Sequence, residues 1–145
     1  MPDVVQFKAR VAQPNIFTGT LIPLTVDEPY LVASLKGAEG LTLQSTASSV
    51  WVDGEFGITH ATGTPSEFTI QITRIIGGGS EVLVFQSEVS IAGGDADGHH
   101  IFTASHVDRP GATGQVRYFL YVILTDGAAS LNFPVTFVGA QFTPV

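Results

Sequence analysis

Hydrophobic and polar residues alternate along most of this chain with a period of two, the mark of strands that bury one face and wet the other. In residues 4–11, Val5, Phe7, Ala9 and Val11 fall on one face and Gln6, Lys8 and Arg10 on the other, and Gln13-Pro14-Asn15 ends the run. This is an amphipathic β-strand on an N-terminal arm with no evident partner in its own chain. Further β-prone runs follow at residues 16–24, 30–35, 41–44 and 50–59, the last broken at Asp53-Gly54 and carrying the sole tryptophan, Trp51. Phe68, Ile70 and Ile72 alternate with Thr69, Gln71 and Thr73. A Gly77-Gly78-Gly79-Ser80 turn then predicts an antiparallel hairpin with residues 82–91. In the next strand His100, Phe102, Ala104 and His106 share a face opposite Ile101, Thr103, Ser105 and Val107. Residues 115–125, the longest apolar run, turn at Asp126-Gly127, and residues 135–142 close the chain.

No window sustains the i, i+3, i+4, i+7 spacing of an amphipathic helix, and 16 glycines and 8 prolines recur every few positions. Eight or nine strands without a helical crossover predict an all-β, single-domain antiparallel β-sandwich, a jelly roll with an N-terminal extended arm. An immunoglobulin-like sandwich is the alternative, without the Cys, Trp, Cys framework. The expected organisation is an arm or connector strand over residues 1–15 and the sandwich over residues 16–145.

Composition narrows the function. Charged residues are 13% of the 145, well below the average for soluble proteins, so Thr, Ser, Gln, Asn and Gly must cover the surface. Such surfaces belong more to extracellular, viral and fibre-forming β proteins than to cytosolic enzymes. Six Lys and Arg against 13 Asp and Glu give a formal charge of −7, which argues against nucleic acid or an anionic membrane as partner. The absence of cysteine rules out disulfides, thiolate nucleophiles and Cys-ligated zinc. Met1-Pro2-Asp3 and the polar-interrupted strand after it lack the basic and apolar regions of a secretory signal. The low-charge surface points to an extracellular location, reached either after removal of a signal or without the secretory route, as spore-coat and virion proteins do.

Candidate chemistry is sparse. Gly94-Asp95-Ala96-Asp97-Gly98 opens like a calcium loop, but His106 stands where the distal bidentate Glu is required. His60, His99, His100 and His106 raise a metal site. His99 and His100 point to opposite faces, and His100 lies about 20 Å along a strand from His106, so neither pair can share an ion. A cross-strand site with His60, or one gathered on an oligomer axis, stays open; no metal ligand and no cofactor is assigned. Ser105, His106 and Asp108 have the letters of a hydrolytic triad in a spacing that sends neighbours to opposite faces. Asp53 and Glu55 could form a carboxylate pair, but Gly54 between them predicts a solvated turn or bulge. No catalytic residue is assigned, and the chain is expected not to be an enzyme. Trp51, Tyr30, Tyr118 and Tyr121 could make a sugar-stacking platform or pack a core.

Three stretches together carry a likeness: Ile22-Pro23-Leu24 with Val50-Trp51-Val52-Asp53-Gly54, the segment from Phe102 to Asp108 before a Pro-Gly turn, and the ending from Phe133 to Ala140. Over residues 21–142 this layout resembles small jelly-roll proteins of spore surfaces, the exosporium-type domains and endospore appendage fibre subunits. That resemblance implies a structural subunit that polymerises by adding its arm strand to a neighbour, with Val5, Phe7, Ala9 and Val11 as the assembly residues. Connectors in that family typically carry cross-linking cysteines, and this chain has none. The partner expected is the chain itself, in a fibre or surface layer. A closed, trimer-like jelly-roll oligomer and a carbohydrate-binding module with glycan partners are the alternatives.

Overall fold

A strand can keep one face dry only where a second apolar layer meets it, and two such layers account for the alternation. The computed structural model describes residues 4–11, 13–14, 21–37, 40–60, 63, 65–92 and 99–144, the first two segments as backbone. In chain order the strands are β1 (Val4–Val11), β2 (Gln13–Pro14), β3 (Ile22–Pro23), β4 (Tyr30–Leu35), β5 (Leu41–Leu43), β6 (Ser49–His60), β7 (Ser66–Ile76), β8 (Val82–Ile91), β9 (His99–Asp108), β10 (Gly114–Asp126) and β11 (Ala129–Pro144). The first sheet runs β1-β11-β6-β9 with β3 also on β11, and the second β2-β4-β10-β7-β8 with β5 also on β10. Every described ladder is antiparallel, and only the β7–β8 hairpin joins strands consecutive in sequence. The chain therefore passes repeatedly between sheets, as a jelly roll does.

The core lies between the sheets. Val50, Val52, Phe56 and Ile58 from β6 meet Val116, Tyr118, Leu120, Val122 and Leu124 from β10, all fully buried. Phe56, Phe68 and Phe102 pack edge to face, with centroids 5.8 Å apart for Phe56–Phe102 and 5.2 Å for Phe68–Phe102. Two polar clasps tie the layers. At one end, Asp108 of β9 pairs with Arg74 of β7 and accepts a 2.8 Å bond from the Tyr118 hydroxyl of β10. At the same end, on the other flank of Val50, the fully buried Gln141 of β11 donates to the Thr42 carbonyl at 2.7 Å and accepts from the Gln44 backbone N–H at 2.9 Å.

Two sequence expectations change. β6 runs unbroken through Asp53-Gly54 because Gly54 faces inward: a Cβ there would lie 2.7 Å from Leu120 Cδ2, so the missing side chain makes room for packing. The arm also has a partner in its own chain. β1 pairs with β11, Phe7 opposite Phe142, Ala9 opposite Ala140 and Val11 opposite Val138. Alternation specifies which residues share a face and says nothing about which edge receives the strand, so this ladder was not legible. The side chains of Val5, Phe7, Ala9 and Val11 lie outside the described residues, as do residues 15–20 and the acidic loop at 93–98.

Candidate interaction surface

The outer face of the first sheet is built by the odd-numbered residues of β6 and β9 and the even-numbered ones in the C-terminal half of β11. Register sets Trp51 between Ala140 and Val107, and Asp53 between Val138 and Ser105. The first row is apolar across three strands, with Ala140 buried and Trp51 and Val107 reaching the surface. Val107 and, further along β9, Ile101 are 53% and 54% exposed, and Trp51 and Val138 are half-buried. The Trp51 indole N–H donates to Ser105 Oγ at 3.0 Å, which fixes the ring across the sheet. Beside this row, Asp53 and Glu55 share the same outer face of β6, half-buried.

The remaining candidates are dispersed. Ser105 faces outward under Trp51, His106 faces inward with its ring 5.7 Å from Phe85, and Asp108 is held by Arg74 and Tyr118. These three neighbours in sequence thus make three separate contacts, and no nucleophile–base pair forms. The aromatics do not share a platform: Tyr118 is fully buried, Trp51 lies on the outer face of the first sheet, and Tyr121 lies on the second sheet. Burial pushes the Tyr118 phenol well above the ordinary tyrosine range, and the charge and hydrogen bond of Asp108 add to that while Arg74 opposes it. Tyr121 is also raised, by burial and then by its hydrogen bond to Glu81 and that group's charge. Near Tyr121, Glu81 Oε1 accepts from Thr73 Oγ1 at 2.6 Å.

The inner face brings His60 and His100 together, with ring centroids 5.3 Å apart. His60 is 2% exposed and neither of its ring nitrogens has a partner. Among the described residues, no group of three or more His, Cys, Asp or Glu converges as a metal site. What sequence reasoning missed was the Arg74–Asp108–Tyr118 clasp, although Asp108 continues the inward phase of Phe102 and Ala104 and so was bound to be buried.

No protein-family model and no curated protein sequence matches the chain. Among solved structures it is similar to Eiger TNF from S. frugiperda, with a TM-score of 0.57 and 16% identity over 99% of this chain and 94% of that one. A chain of the infectious bursal disease virus Gx strain is matched at a TM-score of 0.49 and 11% identity, over 97% of this chain and 33% of the viral one. The likeness to Eiger TNF, with the two-sheet strand order, establishes the jelly-roll fold.

Proposed function

We propose that this chain is a structural, non-enzymatic jelly-roll subunit that associates with copies of itself into a closed oligomer, burying the outer face of its first sheet. The observation that carries this reading is the adjoining pair Trp51–Val107, apolar surface across β6 and β9 with its indole already oriented by Ser105 and with the buried Ala140 of β11 on its other flank. A contiguous apolar patch on a protein with so few surface charges favours burial against another surface. In support, a Trp at the centre of such a patch is the residue type that most often anchors an interface. The low-charge surface agrees with a location outside the cell or on a spore surface, and the chain is assigned no nucleic-acid or membrane partner.

The position of β1 favours a second reading, fibre growth by strand addition as in the spore-appendage family. Among the described ladders β1 is an edge strand paired with β11, and the same ladder formed between two chains would link subunits. A glycan-binding role is the remaining alternative, and a glycan array tests it directly.

Sedimentation and negative-stain microscopy decide among these. The intact chain should form discrete oligomers, and Val107→Asp should convert them to folded monomers, because Val107 is half exposed and a carboxylate buried in an interface without a partner is costly. A wild-type protein that stays monomeric at all concentrations would sink the proposal. Extended filaments, unaffected by Val107→Asp, would replace it with strand addition.

A further inference from the structure

The inner-face histidine pair points to a metal site that the structural-subunit reading does not need. His60 ends β6, and His100 pairs with Ile58 on the adjoining β9, so the two imidazoles stand diagonally across a single ladder on the same face. His60 is 2% exposed, its Nδ1 and Nε2 are both sealed from solvent without a hydrogen-bond partner, and His100 Nε2 is sealed in the same way. A neutral imidazole always carries one donor and one acceptor, so burying both unpaired is strongly unfavourable, and buried polar groups are otherwise almost always satisfied. A ligand that accepts nitrogen lone pairs would relieve the penalty at both rings.

The spacing of the two rings fits a metal ion. A metal ion sits about 2.0–2.1 Å from an imidazole nitrogen. That places it about 3.2 Å from the ring centre, so two imidazoles on one tetrahedral ion have centroids roughly 5 Å apart. The His60 and His100 centroids are 5.3 Å apart with the rings tilted by 55°. Neither ring stacks face to face on the other, and neither donates to the other. A surface cavity of about 400 Å³, lined by His60 with Pro23, Leu24, Ala129 and Ser130, adjoins the His60 ring.

We propose that His60 and His100 form a two-imidazole site for a divalent transition-metal ion of the zinc, nickel or copper class, with water filling its other positions. Imidazole ligands select these ions over calcium and magnesium, and a site of two nitrogens with no imposed cage should follow the order in which copper binds most tightly.

The test uses the full-length chain, free of any affinity tag, titrated with Cu2+, Ni2+ and Zn2+ and examined by copper electron paramagnetic resonance. The expected result is one Cu2+ per chain with hyperfine structure from two imidazole nitrogens, and a rise in melting temperature on loading. His60→Leu and His100→Leu should each weaken binding by about 10–100-fold, at least the loss seen when a ligand's supporting partner is removed. His99→Gln and His106→Gln should bind as the wild type does. Both leucine variants place an apolar side chain on the apolar inner face, and their melting temperatures without metal check that they fold. Binding that survives either leucine substitution, a spectrum lacking two imidazole nitrogens, or no saturable binding would overturn the proposal. The oligomeric state of the same samples reads the interface proposal separately, since neither histidine lies on the outer face.

Discussion

Buried polar residues in this chain act as clasps, and the cost of removing one is set by what it leaves behind. Tyr118 shows the sign most clearly. Its hydroxyl donates to Asp108, whose other oxygen is held by Arg74, so Tyr118→Phe strips one oxygen of a buried carboxylate of its donor. Chemical denaturation at neutral pH should show a loss of about 1–3 kcal/mol. The same residue has an alkaline signature. Because the folded-state pKa is raised, its contribution is complete below the ordinary tyrosine value of about 10 and is lost as pH climbs past it, since the unfolded chain releases a proton that the folded one retains. Wild-type stability should therefore fall on the alkaline side of about pH 10 more steeply than that of Tyr118→Phe. Gly127 illustrates a different constraint. At φ 92°, and with a Cβ position only 2.5 Å from the Pro65 carbonyl oxygen, it occupies a turn between β10 and β11 that other residues would strain and overfill.

Among the elements, β1 decides between modes of assembly. It pairs from Val4 to Val11 along β11, and without it β11 would present a long unpaired edge of backbone donors and acceptors. Deleting residues 1–12 should leave the sandwich of β4 to β11 folded, because the buried core among the described residues lies on those strands. A synthetic peptide of residues 4–11 should then bind the truncated chain and fail to bind the intact one, as measured by fluorescence anisotropy. Peptide that binds neither would mean that β11 cannot accept a strand in trans, which removes the basis of fibre growth by strand addition. The pairing terms are finely balanced. Ladder hydrogen bonds contribute roughly 0.5–1.5 kcal/mol each, whereas ordering a residue costs on the order of 1–2 kcal/mol. An eight-residue strand is held only where its side chains also find apolar contact.

For the whole molecule the formal charge of −7 works against the proposed assembly, because copies brought face to face repel one another. Asp53 and Glu55 lie beside the apolar row and sharpen that effect. Oligomer stability should accordingly rise between low salt and about 0.1–0.15 M, where the screening length falls to roughly 8–10 Å. Sedimentation equilibrium across a salt series checks this, and association that weakens with salt would point to an interface held by opposite charges instead. The topology carries a kinetic consequence as well. Nearly every ladder joins strands distant in sequence, so folding must close long loops before pairing returns any free energy.

The amino-acid order by itself determined the strands and their faces. Period-two alternation assigned His100, Phe102, Ala104 and His106 to one side and Ile101, Thr103, Ser105 and Val107 to the other without knowledge of any neighbour. The Gly77–Gly79 turn likewise fixed the β7–β8 hairpin, since a short glycine-rich link leaves its flanking strands no partner but each other. Ladder choice was decided only in three dimensions. The receipt of β1 by β11, the pairing of Trp51 with Ser105 and the meeting of His60 with His100 all join residues tens of positions apart or more. Such pairings depend on which edges and layers are brought together by burying the whole core at once, a collective free energy that no local window of sequence contains. Even the interior course of β6 through Gly54 was settled by Leu120 on the opposite sheet, which needs the volume that a side chain would have filled.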